Sequence, residues 1–438
     1  MIKKIVLITT ILLVSESLNG QHINYEEYDL TNGLHVILHK DNSAPVVTTS
    51  VMYHVGSKDE IKGKTGFAHF FEHLMFEGTL NIKRGEWFKL VSSRGGDANA
   101  DTTKDRTYYY TTLPSSNEQF GLWMEAERMR NPIINTIGVE TQREVVKEEK
   151  RLSSDNEPYG NLYKAIMENV FTNHPYNFDL IGSMDDLNSA KLEEFRSFYK
   201  KFYVPNNATL VVAGDIDVEQ TKKWIKIYFE GISKGIVYAK NFPKEIPITK
   251  EKEFTATDPN IKLPAYAFAY RAPGFKEKDS YILKMISLYL SEGKSSVLSK
   301  KLIEEKRKAL EVNCYTDSFE DYSVFVIKIK PLDLISKNDV QIEIDEEIKK
   351  LQTTLISEQD LKKLHNIYEN KFINSNLNTE GIAESLATYH QLHGNTNLIN
   401  EEIDIYRSIT RKDIQDAAKK YLNSNQRIII NYLPEKQN

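Results

Sequence analysis

The sequence predicts an α+β protein of two homologous domains, each a mostly antiparallel sheet packed with helices, related by an internal repeat. Three observations predict it. A chain of 438 residues has room for two or three cores at roughly 100–200 residues per domain. The order of strand-like and helix-like segments in the first half recurs in the second. The ends of the halves also lie over one another at an offset of 218 residues, Tyr203-Val204-Pro205-Asn206-Asn207 over Tyr421-Leu422-Asn423-Ser424-Asn425. In each, an amphipathic helix delivers an aromatic residue, a short Asn-containing loop turns the chain, and a β-branched strand follows.

Taken in order, the alternating segments 34–39 and 46–55 read as strands, as does 106–113 with its run Tyr108, Tyr109, Tyr110, Thr111, Thr112. Long helical stretches are expected over 116–171, then a helix at 192–203 and a β-branched strand at 209–213. In the second half 262–270 and 324–330 read as strands, while 279–290, 295–306 and 339–392 are mostly helical. The domains are expected at 21–230 and 256–438. The stretch 231–255, with Gly231, Pro243 and Pro247, reads as the linker.

Composition narrows the function. Lys and Arg number 57 against 62 Asp and Glu, a net charge of −5 with both signs interspersed, so no phosphate-tracking surface and no nucleic-acid partner are expected. The single cysteine, Cys314, can form neither an internal disulfide nor a Cys-rich metal site; it lies in a strand-like segment and reads as a buried bystander. Any metal must therefore be held by His and carboxylates.

Residues 1–20 have the layout of a secretory signal. Lys3 and Lys4 precede an apolar run from Ile5 to Val14, and a polar stretch follows. That run is shorter than the about 20 residues needed to span a bilayer, and no later stretch is long enough. Cleavage is expected near Gly20 or Gln21, although Leu18-Asn19-Gly20 departs from the A-x-A pattern. The mature chain, with net charge −6 after loss of Lys3, Lys4 and Glu16, is expected to be exported, periplasmic or extracellular, with no integral membrane segment.

The segment that carries chemistry runs from Thr65 to Gly78, with Gly66 and Gly78 bracketing an expected helix of about three turns. Within it His69 and His73 are four apart, so both imidazoles project from one face at a separation suited to one zinc ion. Glu72 shares that face through its i+3 relation to His69, within reach of a water. This H-x-x-E-H order inverts the commoner H-E-x-x-H zinc motif. Zinc with three protein ligands and an open position acidifies water, and a nearby carboxylate takes the proton, which is the chemistry of amide hydrolysis. The acidic helix at 142–151 offers the third ligand. Glu148 and Glu149 diverge by about 100° there, so one of them faces the metal, and spacing alone does not choose.

With these motifs the chain resembles the pitrilysin or insulinase family of zinc metallopeptidases, in particular its short, two-domain bacterial and processing-peptidase-like members. The resemblance covers most of the chain after residue 20. It implies one Zn2+ per chain with Glu149, 76 residues after His73, as third ligand beside His69 and His73, and Glu72 as general base. The family's glutamate seven residues before that ligand is Gln142 here, a departure implying a weaker outer shell. The run Gly95-Gly96-Asp97-Ala98-Asn99-Ala100-Asp101-Thr102, followed by Arg106, resembles the family's edge strand, to which a substrate peptide adds; Asn99 and Ala100 match its substrate-contacting positions. Pro158-Tyr159-Gly160, His174-Pro175-Tyr176, Gly182-Ser183 and Pro205-Asn206-Asn207-Ala208 also match short family motifs and read as architectural.

One gap bears on function. An Arg and a Tyr seven apart in the family's second domain, which hold substrate and polarise its carbonyl, fall here on Glu304 and Glu311. A carboxylate cannot stabilise an oxyanion. The expected protein is therefore a zinc endopeptidase acting on peptides or unfolded polypeptides, as the catalytic subunit of a heterodimer whose homologous partner supplies Arg and Tyr; a homodimer is the other arrangement. The competing function class is a non-catalytic peptide-binding or assembly subunit. Gly293-Lys294-Ser295-Ser296 lacks the earlier glycine of a phosphate loop, Leu288 standing in its place, and reads as a turn. The remaining histidines show no second metal pattern, and His390 and His393 read as surface residues at a helix end.

Overall fold

The computed structural model describes residues 22–435 other than 237 and 239. The segment read as a signal, and its cleavage point, lie outside the described residues. The first sheet has six strands, β1 (Glu26–Asp29), β2 (His35–Lys40), β3 (Val46–Tyr53), β4 (Asp97–Thr102), β5 (Thr107–Pro114) and β6 (Ala208–Gly214), in the order β1-β2-β6-β3-β5-β4. The second has five, β7 (Lys252–Asp258), β8 (Ala265–Pro273), β9 (Ala309–Ser318), β10 (Tyr322–Pro331) and β11 (Arg427–Pro434), in the order β7-β11-β8-β10-β9. In each sheet one pair is parallel, β2 with β6 and β7 with β11, and the other neighbours are antiparallel. Removing β1 makes the two orders identical, so the two-domain α+β reading and the internal repeat both hold. Helices Leu192–Phe202 and Arg411–Tyr421 occupy the repeated position before β6 and β11.

The structure divides the expected helical stretches and moves one linker bound. The stretch 116–171 is three helices, Glu118–Arg130, Thr136–Lys150 and Leu162–Val170, because Asn131-Pro132 and the turns after Arg151 interrupt it. The stretch 339–392 likewise divides into Lys337–Thr353, Glu358–Ser375 and Thr379–Thr388. β7 begins at Lys252, inside the stretch read as linker, because its partner β11 lies at the far end of the chain and gives no local signal.

The inner strands of both sheets are buried on both faces, and the domains achieve this by exchanging helices. In the first sheet Val36, Leu38, Leu210 and Val212 face their own domain's helices, while Ile37, Val211 and Ala213 face Ile382, Ala383, Leu386 and Ala387 on helix Thr379–Thr388 from the second half. In return, helix Leu162–Val170 from the first half packs Leu162, Ile166 and Val170 on the second sheet. The alternation Ala265-Tyr266-Ala267-Phe268-Ala269-Tyr270 is built for this. The aromatic residues face the second domain's own helices, and the alanines let the donated helix approach. The two exchanged helices stand close to the 218-residue offset, so the exchange belongs to the repeat.

A buried ionic network ties the seam. Lys58, 2% exposed, is 2.8 Å from Asp105, 2.6 Å from Glu320 and 3.2 Å from Asp321 of the second domain. Burial opposes its charge, but Asp105 and Glu320 outweigh burial and hold its pKa above the ordinary value. Tyr176 donates to Asp105 at 2.7 Å and accepts from the Asp321 N–H of the second domain at 3.1 Å, and Tyr159 donates to the Leu263 carbonyl at 2.9 Å. The short motifs around Tyr159 and Tyr176 are thus anchors between domains.

At the other end of the seam, His390 and His393 are half-buried, not surface residues. His390 stacks on His35 at 3.4 Å with the rings 4° from parallel, and the donated helix carries it there. Glu27, His35 and His390 cluster closely enough to resemble a metal site. Ring lone pairs lie in the ring planes, however, and two parallel planes do not converge on one ion. His35 instead faces carboxylates with both nitrogens, Asp29 at 2.8 Å and Glu27 at 3.3 Å, and His390 meets Thr396 at 3.3 Å.

Two predictions follow from the seam. Lys58→Met leaves three carboxylates without their cation and is expected to cost about 3–5 kcal/mol, read as a lower guanidinium midpoint; an unchanged midpoint would show the network to be idle. Burial, then the neighbouring His35, pushes the His390 pKa down to about 4, against the pull of Glu27 and Asp29. A lowered histidine pKa makes the unfolded chain bind the extra proton first, so this contribution is intact above pH 6.5 and is lost as pH falls towards 4. The Tm of the wild type is expected to fall more steeply over that window than the Tm of His390→Gln, and parallel curves would contradict the assignment.

Candidate active site

The helix carrying the motif is Phe67–Leu74, two turns long and shorter than the three expected. It starts at Gly66, whose φ of 88° and close crossing with Gly182 both require glycine: a Cβ at Gly66 would stand 2.5 Å from the Ile181 carbonyl. The buried carboxylate of Glu60 accepts the first-turn N–H groups of Gly66 and Ala68, each at 2.8 Å. Burial raises the Glu60 pKa to about 8 even though those two bonds oppose the rise. Phe67, Phe70, Phe71 and Leu74 enter the core, where Phe195 stacks on Phe67 at 4.6 Å. The opposite face presents His69, Glu72 and His73.

Helix Thr136–Lys150 brings Glu149 to the two imidazoles. Its carboxylate oxygens lie 3.4 Å from His69 Nε2 and 3.2 Å from His73 Nε2. Glu148 points away and pairs with Arg151 at 2.9 Å. Burial acts to lower the His69 pKa, but the hydrogen bond and charge of Glu149 outweigh it, and His69 is held above its ordinary value. Glu149 is held well below the carboxylate range by its bonds to His69 and His73. Zinc at about 2.0–2.2 Å from N and O ligands in a tetrahedron sets those ligands roughly 3.3–3.4 Å apart. The two His-to-Glu149 separations match that edge, the three donor atoms all lie within 4.8 Å of one another, and the N, N, O donor set is one that zinc accepts, so His69, His73 and Glu149 fit the ion.

The edge strand β4 lies against the same helix. Among the described residues no strand pairs with its outer side, since β4 ends the sheet order, and its inner neighbour is β5, with Asn99 opposite Tyr110 and Ala100 opposite Tyr109. Ala98 and Ala100 are buried, and Asn99 is exposed. Two residues on, Thr102 donates its hydroxyl to Glu72 Oε2 at 2.7 Å. Gln142 donates to Glu77 at 2.6 Å, and Arg84 also holds Glu77. In the second domain Glu304 is exposed, and Glu311 on β9 pairs with Lys328 at 2.9 Å and Lys330 at 2.8 Å. Sequence reasoning missed Glu60 and Thr102. The alternation that buries Ala98 and Ala100 places Thr102 on their face and is the signal that could have found it; Glu60 has none, because its bonds go to backbone.

Comparisons with known proteins agree with this architecture. Residues 35–183 match the family described as Insulinase (Peptidase family M16), and residues 189–368 match the Peptidase M16 inactive domain. Zinc protease PqqE of Helicobacter pylori is 30% identical over 435 residues, 97% of each chain. An uncharacterized zinc protease of Bacillus subtilis, YmxG, is 24% identical over 311 residues, 69% of this chain and 72% of its own. The crystal structure of a protease from Helicobacter pylori superimposes with a TM-score of 0.87 at 29% identity, covering 94% of this chain and 99% of that one. A putative M16-like peptidase from Alicyclobacillus acidocaldarius shares the fold, with a TM-score of 0.82 at 17% identity over the same shares. Both halves are matched in order, and a zinc protease aligns along nearly the whole length, so the chain belongs to the insulinase (M16) family of peptidases as a two-domain member.

Proposed function

We propose that this chain is a zinc-dependent endopeptidase that hydrolyses peptides or unfolded polypeptides after export. The observation that carries the reading is the convergence of His69 Nε2, His73 Nε2 and the Glu149 carboxylate at zinc-ligand spacing, with Glu72 alongside on the same helix face. Zinc held by these three residues, one ion per chain, would act as a Lewis acid and bring the pKa of a water in its open position towards about 7. Glu72 takes the proton of the attacking water and returns it to the leaving amine. The peptide adds to the free side of β4 by main-chain hydrogen bonds along Asn99 and Ala100, so side chains are weakly selected. Export to a periplasm or the cell exterior rests on the Lys3, Lys4 and Ile5-to-Val14 pattern; among the described residues no helix is long and apolar enough to cross a membrane.

The second part of the proposal concerns a partner. Glu304 and Glu311 stand where an Arg and a Tyr would polarise the scissile carbonyl, and Glu311 is committed to Lys328 and Lys330. The chain is therefore the catalytic subunit of a heterodimer whose homologous partner brings those groups. The alternative, a non-catalytic peptide-binding subunit, is favoured by the same two glutamates but leaves the His69–His73–Glu149 set without a use.

Three outcomes test these readings. The mature chain is expected to bind one zinc per chain by elemental analysis, and Glu149→Gln to lower that stoichiometry; zinc retained without His69, His73 and Glu149 would refute the ligand set. Glu72→Gln is expected to keep zinc and lose about 10²–10⁴-fold in kcat in a mass-spectrometric peptide assay. The isolated chain is expected to cleave slowly and to be accelerated by the homologous partner, whereas full chelator-sensitive cleavage by the chain alone would remove the heterodimer.

A further inference from the structure

Glu72 is a flexible side chain on a short helix, half-buried, with one hydrogen-bond donor among the described residues. That donor is Thr102 Oγ1, 2.7 Å from Glu72 Oε2. Thr102 is 8% exposed and ends β4, across from Thr107 of β5. It follows Ala98 and Ala100 on the strand face turned to helix Phe67–Leu74, so the strand approaches that helix through two methyl groups and then a hydroxyl. Tyr109, opposite Ala100, donates its hydroxyl to the Phe71 carbonyl at 3.2 Å and pins the helix backbone one residue before Glu72.

We propose that Thr102 is a positioning residue for the reaction: its hydroxyl occupies Glu72 Oε2, fixes the carboxylate rotamer and leaves Oε1 to take the proton of the attacking water. The proposal rests on the reading of Glu72 as the base. A β-branched side chain in a strand has a restricted χ1, so the donor is held in place without help from other groups. A hydroxyl bonded to an ionised carboxylate makes one of the stronger side-chain hydrogen bonds, enough to select one rotamer of a glutamate that otherwise has several. The strand that takes up the peptide backbone is then the strand that aims the base. A peptide seated in register on Asn99 and Ala100 meets a carboxylate whose position is set two residues further along the same backbone.

Thr102→Val keeps the shape and removes the donor. Kinetics are read on the assembly that cleaves peptide, with the chain zinc-loaded. The expected result is a fall in kcat of about 10–100-fold with KM changed less than about twofold, and with zinc stoichiometry and Tm unchanged. Thr102→Ser, which restores the hydroxyl, is expected to recover kcat to within about threefold. In a Glu72→Gln background Thr102→Val is expected to cause no further loss, because the group it positions is gone. A crystal structure of zinc-loaded Thr102→Val supplies a readout without turnover, and there the Glu72 carboxylate is expected to leave its single position. Wild-type kcat in Thr102→Val together with an inactive Glu72→Gln, or an unmoved carboxylate in that crystal, would overturn the role of Thr102 alone. Loss of zinc from Thr102→Val would also overturn it, by showing support of the metal set instead. An active Glu72→Gln would overturn the base reading itself.

Discussion

The site depends on keeping an eight-residue helix folded and aimed. Two turns are too few to be stable in water, since nucleation is costly and each added residue returns little. Helix Phe67–Leu74 is therefore held from outside. Glu60 satisfies its first-turn N–H groups, Gly66 crosses Gly182 at backbone contact, and four apolar side chains enter the core, each worth about 1.5–3 kcal/mol of burial. Because every constraint falls on the helix's inner face or its ends, the outer face is free to carry His69, Glu72 and His73. Adjacent turns of a helix held so firmly give two imidazoles a fixed separation, and Glu149 needs only one well-placed rotamer to complete the set.

That helix sits against a sheet which is itself completed by the other domain. Helix Thr379–Thr388 covers the face of the first sheet opposite helix Phe67–Leu74, and Leu162–Val170 returns the contact on the second sheet. With both faces buried, the strands read as nearly continuous apolar runs, as in β6 and β11. The second domain is therefore part of the platform that shapes β4 and β5, whether or not it touches substrate. This gives a physical reason for a domain that lacks the H-x-x-E-H motif to be kept on the same chain.

How much of this was legible in the sequence follows from the range of each signal. His69, Glu72 and His73 lie within five residues, and helical periodicity alone puts them on one face. The repeat was visible because helix, turn and strand follow one another at Tyr203 and Tyr421 and require local patterns. The choice of Glu149 over Glu148 required the resemblance, since a 100° difference in direction means nothing until the helix is placed against His69 and His73. The helix exchange, the Lys58 network and the His35–His390 stack were not legible. Their partners lie far apart in sequence, and each residue alone looks like an ordinary surface charge, imidazole or apolar helix face. β7 was missed for the same reason, as its pairing with β11 joins the two ends of the second domain.

Gln142 is the departure that looked most like a defect, and its surroundings change that reading. Its amide nitrogen lies 2.6 Å from Glu77, whose buried carboxylate is also bound by Arg84. A glutamate at 142 would set two carboxylates against each other at hydrogen-bond distance, and one would have to be protonated or displaced. Placed as it is, the amide donates to Glu77 and adds no second negative charge beside that carboxylate. Gln142 is thus the residue type that a bond to an ionised Glu77 requires.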